Sequence, residues 1–334
     1  MPFPEVLLEP SDLSLAIAVS TAATEYNPAI DRLIQQQGIW SSEASFCLQV
    51  GLTQALLVRP MLGKSVGELV QAGYLAETGG EVHNPHRRID GIGAAVAYYY
   101  LPHAFPDMPV DIRIEEEGEW RRYPQNAYGD VPHCRIIVDP LDGTGDIPKG
   151  RPFQAMGILV TDADGRFVAS CVVGLRRPEI LVVDDTHATL FDFDEKRFVL
   201  TPIPLQLDSG PREAVRVSVL KRRLEEDPGA YAFIDGERVQ LVLDTFGGAG
   251  LLALAHNEVD AMLDWKGQIW YEAVPWGMTA QQTGCPVTAP DGSAIDFAGM
   301  LAESLANPGY KGRQKIVIYR NPEVQAALLE KVRV

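Results

Sequence analysis

The hydrophobic rhythm of the chain changes near residue 100. Before that point apolar side chains recur at helical spacing. Ser11-Asp12 reads as the cap of a helix running through Leu13, Ile17 and Val19 toward Ala23. A second helix is expected over 41–58, with Ser42 and Glu43 at its start and Leu48, Val50, Leu52, Leu56 and Leu57 on its apolar face. Pro60 is expected to end it. A third, rich in Ala and Tyr, runs from Gly91 to Leu101 and stops before Pro102. Short apolar runs then take over, at 111–114 and 135–138, each ending in acidic residues. Residues 153–160 and 167–173 read as a hairpin around Asp162-Ala163-Asp164-Gly165. Strands follow at 179–183 and 189–193, and Thr201-Pro202-Ile203-Pro204 reads as a linker.

The remainder alternates. Strands are expected at 214–220, 239–244, 259–263 and 316–319, with helices near Gly229 and over 248–257, 271–283 and 322–331. Mixed sheets sandwiched between helices are the packing this pattern favours. The Pro-rich segment divides the chain into an N-terminal α+β part, 1–204, and a C-terminal α/β part, 205–334.

Charge narrows the function. A formal net charge of −16 argues against binding a nucleic-acid polymer or an anionic membrane, both of which need a basic footprint. No apolar stretch reaches the length of a membrane span, and the first residues lack a basic segment followed by an apolar run. Cys47, Cys134, Cys171 and Cys285 are scattered without zinc-type spacing, as expected of reduced, mostly buried thiols. A soluble cytoplasmic enzyme is the expectation. An acidic protein that handles a phosphate must neutralise it locally, and carboxylates filled with divalent cations would do that. Taken alone, the charge is better explained by a solubility role.

The sharpest local feature is Ile136-Ile137-Val138-Asp139-Pro140-Leu141-Asp142-Gly143-Thr144. An apolar strand delivers two carboxylates into a Pro- and Gly-shaped turn, with the Leu141 carbonyl between them. That is a hard-oxygen set suited to Mg²⁺. If Gly143 and Thr144 open a helical turn, their N–H groups face an anion. A plain surface turn uses the same residue types. Glu115-Glu116-Glu117 reads equally as a solvated acidic loop, Asp90 as a helix cap, and Glu272 as a surface residue.

Together these segments resemble the inositol monophosphatase family, within the group that includes fructose-1,6-bisphosphatases and 3′-phosphoadenosine-5′-phosphate phosphatases. Asp139-Pro140-Leu141-Asp142-Gly143-Thr144 is similar to that group's Asp-Pro-Ile/Leu-Asp-Gly-Thr signature. Arg88-Ile89-Asp90, Glu115-Glu116-Glu117-Gly118, Phe246 to Gly250 with Glu258 to Ala261, and Tyr271-Glu272-Ala273 through Thr288 follow in the family's order. The resemblance implies a sugar-phosphatase fold, a layered α-β-α-β-α sandwich with two mixed sheets, paired as a homodimer in the family's manner. It implies Mg²⁺-dependent hydrolysis of a small-molecule phosphate ester, with on the order of two or three ions per site. Asp139, the Leu141 carbonyl and Glu115 or Glu116 would hold the first metal, and Asp139, Asp142 and Glu272 a second. Asp90 with Thr144 would orient and deprotonate the attacking water, Gly143 and Thr144 would hold the phosphate, and Asp264 and Gly248 would meet the substrate. Nucleotide 3′-phosphatase, fructose-1,6-bisphosphatase and a non-catalytic phosphate- or metal-binding homologue are the alternatives. Departures stand out: Glu272 replaces the family's Asp, Pro275-Trp276 its Ala-Gly pair, and Gly145-Asp146-Ile147 its residues after the signature Thr.

Overall fold

A computed structural model describes residues 13–38, 41–72, 76–78, 81–83, 88–124, 127, 131–143, 147, 151–208 and 212–332. Helices come first: α1 (Leu13–Gln37), α2 (Ser42–Leu62) and the short α3 (Val66–Gln71). A ribbon of β1 (Ala76–Thr78) and β2 (Glu81–His83) leads to α4 (Arg88–Ala104). Ser41 caps α2, its Oγ accepting from the Ala44 N–H at 3.0 Å. The expected Ser11-Asp12 cap lies outside the described residues. Pro60 does not end α2 and Pro102 does not end α4; both sit in the last turn, where a missing N–H removes at most one hydrogen bond.

The larger sheet contains β3 (Val110–Ile114), β4 (Trp120–Tyr123), β5 (Cys134–Asp142), β6 (Ala155–Asp162), β7 (Phe167–Gly174), β8 (Glu179–Asp184), β9 (Ala188–Asp194) and β10 (Val199–Ile203). Their spatial order is β10-β9-β8-β7-β6-β5-β3-β4, antiparallel except for the parallel pair β3/β5. The Pro-rich linker of the sequence reading is therefore part of a strand. Pro202 pairs with Phe191 on the outermost strand, a position where an absent N–H removes nothing from the ladder.

A smaller sheet is built from β11 (Val215–Ser218), β12 (Val239–Leu243), β13 (Ala261–Ile269), β14 (Val287–Thr288) and β15 (Arg313–Tyr319), in the order β12-β11-β13-β15-β14. It too is mixed, with β11 parallel to β12 and β13, and β15 antiparallel to β13 and β14. Its helices are α5 (Lys221–Glu226), α6 (Gly248–Ala255), α7 (Trp270–Gln282), α8 (Phe297–Ala306) and α9 (Pro322–Val332). The helix expected near Gly229 lies earlier, at α5.

Side-chain alternation along the strands separates three cores. Ile136 and Val138 of β5 join Ile112 and the apolar faces of α1, α2 and α4. Ile137, Leu159 and Val172 point the other way, onto Leu252, Val274, Trp276 and Leu301 of α6, α7 and α8. Val217, Leu263 and Val317 of the smaller sheet pack on Val324 and Leu328 of α9. The layers thus run α-β-α-β-α, as expected, and the middle core draws on residues from both sides of position 204. All four cysteines are free and buried. Among the described residues no helix is long and apolar enough to cross a membrane.

Candidate active site

The site begins where β5 breaks register. Asp139 pairs with Gly157 but Asp142 with Ala155, so β5 carries one extra residue across Pro140-Leu141. The bulge turns the strand end. Asp139 is buried, and its Oδ1 accepts from the Leu141 N–H at 3.2 Å. Gln54 of α2 donates its side-chain N–H to the Pro140 carbonyl from behind. Helix α4 presses on the same turn through Gly93, where a Cβ would stand 2.6 Å from the Pro140 Cβ and 2.5 Å from the Gln54 amide. Asp90 lies three residues earlier on that helix face and is 1% exposed.

Asp142 reaches the smaller sheet's side of the molecule. Its Oδ2 accepts from the Gly248 N–H at 2.8 Å, so it caps α6 from another layer. Gly247 precedes it with φ +78°, and a Cβ there would collide with Asp142 Oδ2 at 2.3 Å. This revises the expectation for Gly248. Its N–H is engaged by Asp142, and its α-carbon faces Ala155 and Trp276, so Gly247 and not Gly248 lines the open cleft.

The three glutamates after β3 form a single 3₁₀ turn, closed by Gly118 in the left-handed region. Glu117 is structural: it accepts from the Tyr98 hydroxyl and pairs with Arg121 Nε at 3.1 Å. The negative charge of Glu115 is one of the influences that raise the Glu272 carboxyl. The Glu116 side chain and all of Thr144 lie outside the described residues.

Glu272 occupies the first turn of α7 and lines a cleft of about 230 Å³ with Asp142, Gly143, Gly247, Arg223 and Arg313. Burial, then the charges of Glu115 and Asp264, push its carboxyl up to about 7, against the pull of Arg313 and Arg223. Asp90, Asp139 and Leu141 are buried and do not line this cleft. Among the described residues no three His, Cys, Asp or Glu side chains stand together as a metal cage. Of the expected metal ligands, Asp142 and Glu272 line the cleft.

One residue two places before Glu115 holds this arrangement. Arg113 of β3 is 5% exposed, and its guanidinium lies over the rings of Trp270 (5.2 Å) and Tyr271 (5.0 Å) at the head of α7.

Asp264 departs from its expected role. It is fully buried and accepts from the Lys266 N–H (3.0 Å), the Gly267 N–H (2.8 Å), Gln268 Nε2 (2.8 Å) and Arg223 Nε (3.2 Å). No acceptor capacity remains for substrate hydroxyls. Asp264 instead fixes Arg223 and Gln268, which do line the cleft. Sequence reasoning missed these two, and also Arg222 and Arg313, because isolated arginines carry no motif.

No family model matches the sequence, and no curated protein matches it by sequence. Solved structures do match. Mycobacterium tuberculosis SuhB superposes with a TM-score of 0.56 at 15% identity, covering 85% of this chain and 92% of its own. The Zymomonas mobilis inositol monophosphatase gives 0.56 at 14%, covering 87% and 97%. A dual specific IMPase/NADP phosphatase bound with D-inositol-1-phosphate gives 0.53 at 14%, covering 81% and 89%. The chain has the inositol monophosphatase fold.

Within that fold Trp276 is accommodated by subtraction. The indole is 1% exposed and occupies the space a side chain would need at Gly157, where a Cβ would approach within 2.2 Å, and at Gly248, within 3.1 Å. Its bulk goes mainly into the middle core, and only an edge reaches the cleft floor.

Proposed function

We propose that the chain is a Mg²⁺-dependent phosphomonoesterase acting on a small polyol, sugar or nucleotide phosphate. The observation that carries this reading is the meeting of Asp142, Gly143 and Glu272, from different layers, around one cleft beside Glu115. Two carboxylates that repel each other under burial are a donor set that a hard divalent cation fits. In this reading Glu115, Glu116, Asp139, the Leu141 carbonyl, Asp142 and Glu272 hold Mg²⁺. A divalent cation held there would supply charge neutralisation for the phosphate and for the leaving oxygen. Gly143 and Thr144 hold the phosphate through backbone N–H groups. Asp90, with Thr144, orients the attacking water and takes its proton at the carboxylate. Glu117 is left out of the ligand set because Tyr98 and Arg121 already occupy it. Fold kinship supports the substrate class, since one solved relative carries D-inositol-1-phosphate.

The test is phosphate release from inositol 1-phosphate, fructose 1,6-bisphosphate and 3′-phosphoadenosine 5′-phosphate, with Mg²⁺ and after chelation. Mg²⁺-dependent release from at least one, abolished by Asp139→Asn, is the expected result. Binding without release from any of the three would replace the enzyme by a non-catalytic homologue.

A further inference from the structure

Two helices begin at the cleft, and neither caps itself. Leu220 precedes α5 and Gly247 precedes α6; neither offers a side-chain acceptor to its helix. In each case an aspartate from elsewhere accepts the first N–H. Asp142 takes that of Gly248 at 2.8 Å, and Asp244 Oδ1 takes that of Lys221 at 2.5 Å. Asp142 lines the cleft, whereas Asp244 does not, and the phosphatase reading gives Asp244 no role.

The second oxygen of Asp244 reaches the other sheet. Its Oδ2 pairs with Arg151 Nη1 at 2.6 Å. Arg151 lies shortly before β6 of the larger sheet, and Asp244 directly follows β12 of the smaller one. Gln154, 1% exposed, donates Nε2 to the Arg151 carbonyl at 2.8 Å and, more weakly at 3.5 Å, to the Gly143 carbonyl. Arg176 Nε holds the oxygen of the same amide at 3.0 Å. A continuous chain of contacts thus runs from Gly143 through Gln154, Arg151 and Asp244 to the first residue of α5. Both ends are at the cleft: Gly143 lines it at one, and Leu220 and Arg222 beside Lys221 at the other.

We propose that Asp244 is a positioning residue that, with Arg151, clamps the segment following Gly143 to α5 and so fixes the width of the substrate-binding part of the cleft. This role rests on the phosphatase reading and adds to it a residue that touches neither metal nor substrate. Asp142 is held separately by Gly248, and Glu272 by its place in α7. Loosening the clamp therefore weakens substrate binding more than turnover. The paired side chains are 36% and 22% exposed, which keeps the effect of the charge alone modest.

Arg151→Gln, Asp244→Asn and the double variant are compared on whichever of the three esters above the wild type hydrolyses, with melting temperature as the control for folding. Asp244→Asn keeps an oxygen for the Lys221 N–H and loses the ion pair. KM is expected to rise about three- to five-fold in either single variant, with kcat within about two-fold. The double variant should be no worse than the singles, and Arg151→Lys should recover about half of the loss. Unchanged KM in the folded single variants, additive effects, or a fall in kcat that matches the rise in KM overturns the clamp. Amide hydrogen exchange of the metal-free protein needs no turnover. Asp244→Asn is expected to speed exchange about three-fold or more on both sides of the pair, at 151–154 and at 221–226. Exchange unchanged on either side overturns the clamp as well. If the wild type releases phosphate from none of the three esters, the phosphatase reading fails and the exchange result alone decides the clamp.

Discussion

The Asp142 carboxylate and the Gly248 N–H meet at 2.8 Å across two layers of the molecule. A residue expected only to bind metal thus also accepts from the first N–H of α6, doing from another layer what the N-cap Gly247 has no side chain to do. The two roles separate by substitution. Asp142→Asn keeps an oxygen acceptor and should melt close to wild type, whereas Asp142→Ala should cost about 1 kcal/mol, the usual loss for a cap. Both should lose Mg²⁺-dependent phosphate release. Thermal denaturation beside an activity assay checks this, and an active Asp142→Asn protein contradicts the metal role.

Glu272 makes metal-free stability depend on pH. Its carboxyl lies at about 7 in the folded chain against 4.5 for an unperturbed glutamate. Below 4.5 the group is protonated in both states and costs nothing. As pH rises from there to about 7 the unfolded chain releases its proton first, so this group's contribution to stability is lost across that window. In chelator, Glu272→Gln should therefore melt higher than wild type at pH 8 and no higher at pH 4. Added Mg²⁺ should raise the wild-type melting temperature at pH 8 more than that of the variant.

Trp276 and Gly157 are coupled by contact. Gly157→Ala should destabilise by about 1–3 kcal/mol, because the added methyl has nowhere to go. Combining it with Trp276→Phe should recover part of that loss. Additive effects in the double-mutant cycle would mean the two positions do not share the space.

Asp264 should behave as a positioning residue. Asp264→Asn leaves Arg223 without its buried counter-charge and is expected to cost about 3 kcal/mol or more. The readout that separates positioning from mere folding is kinetic: at a temperature where the variant stays folded, KM should rise more than kcat falls.

The acidic signature was legible because its chemistry is contiguous. Asp139, Pro140, Leu141 and Asp142 sit within one turn, and the apolar run before them specifies a buried strand. The layered fold followed from the change of period and the resemblance. What the sequence hid were effects of partners distant along the chain. Thr201 to Ile203 looks like a linker until β9 supplies its pairing. Asp264 looks available until the bulge between Asp264 and Gln268 folds two backbone N–H groups onto it. Helix α8, capped by Asp296, shows little signal of its own because only Phe297, Leu301 and Ser304 are buried on it.

Arg113 gives the site its dimensions. Glu115 follows it by two residues and Glu272 follows Tyr271 by one, so the spacing of the two acids is inherited from a guanidinium resting on aromatic rings. Each charge raises the cost of the other, yet the stacked seam ties the strand that carries Glu115 to the helix that carries Glu272. A cation joining the two acids would meet elements that folding has already bound together.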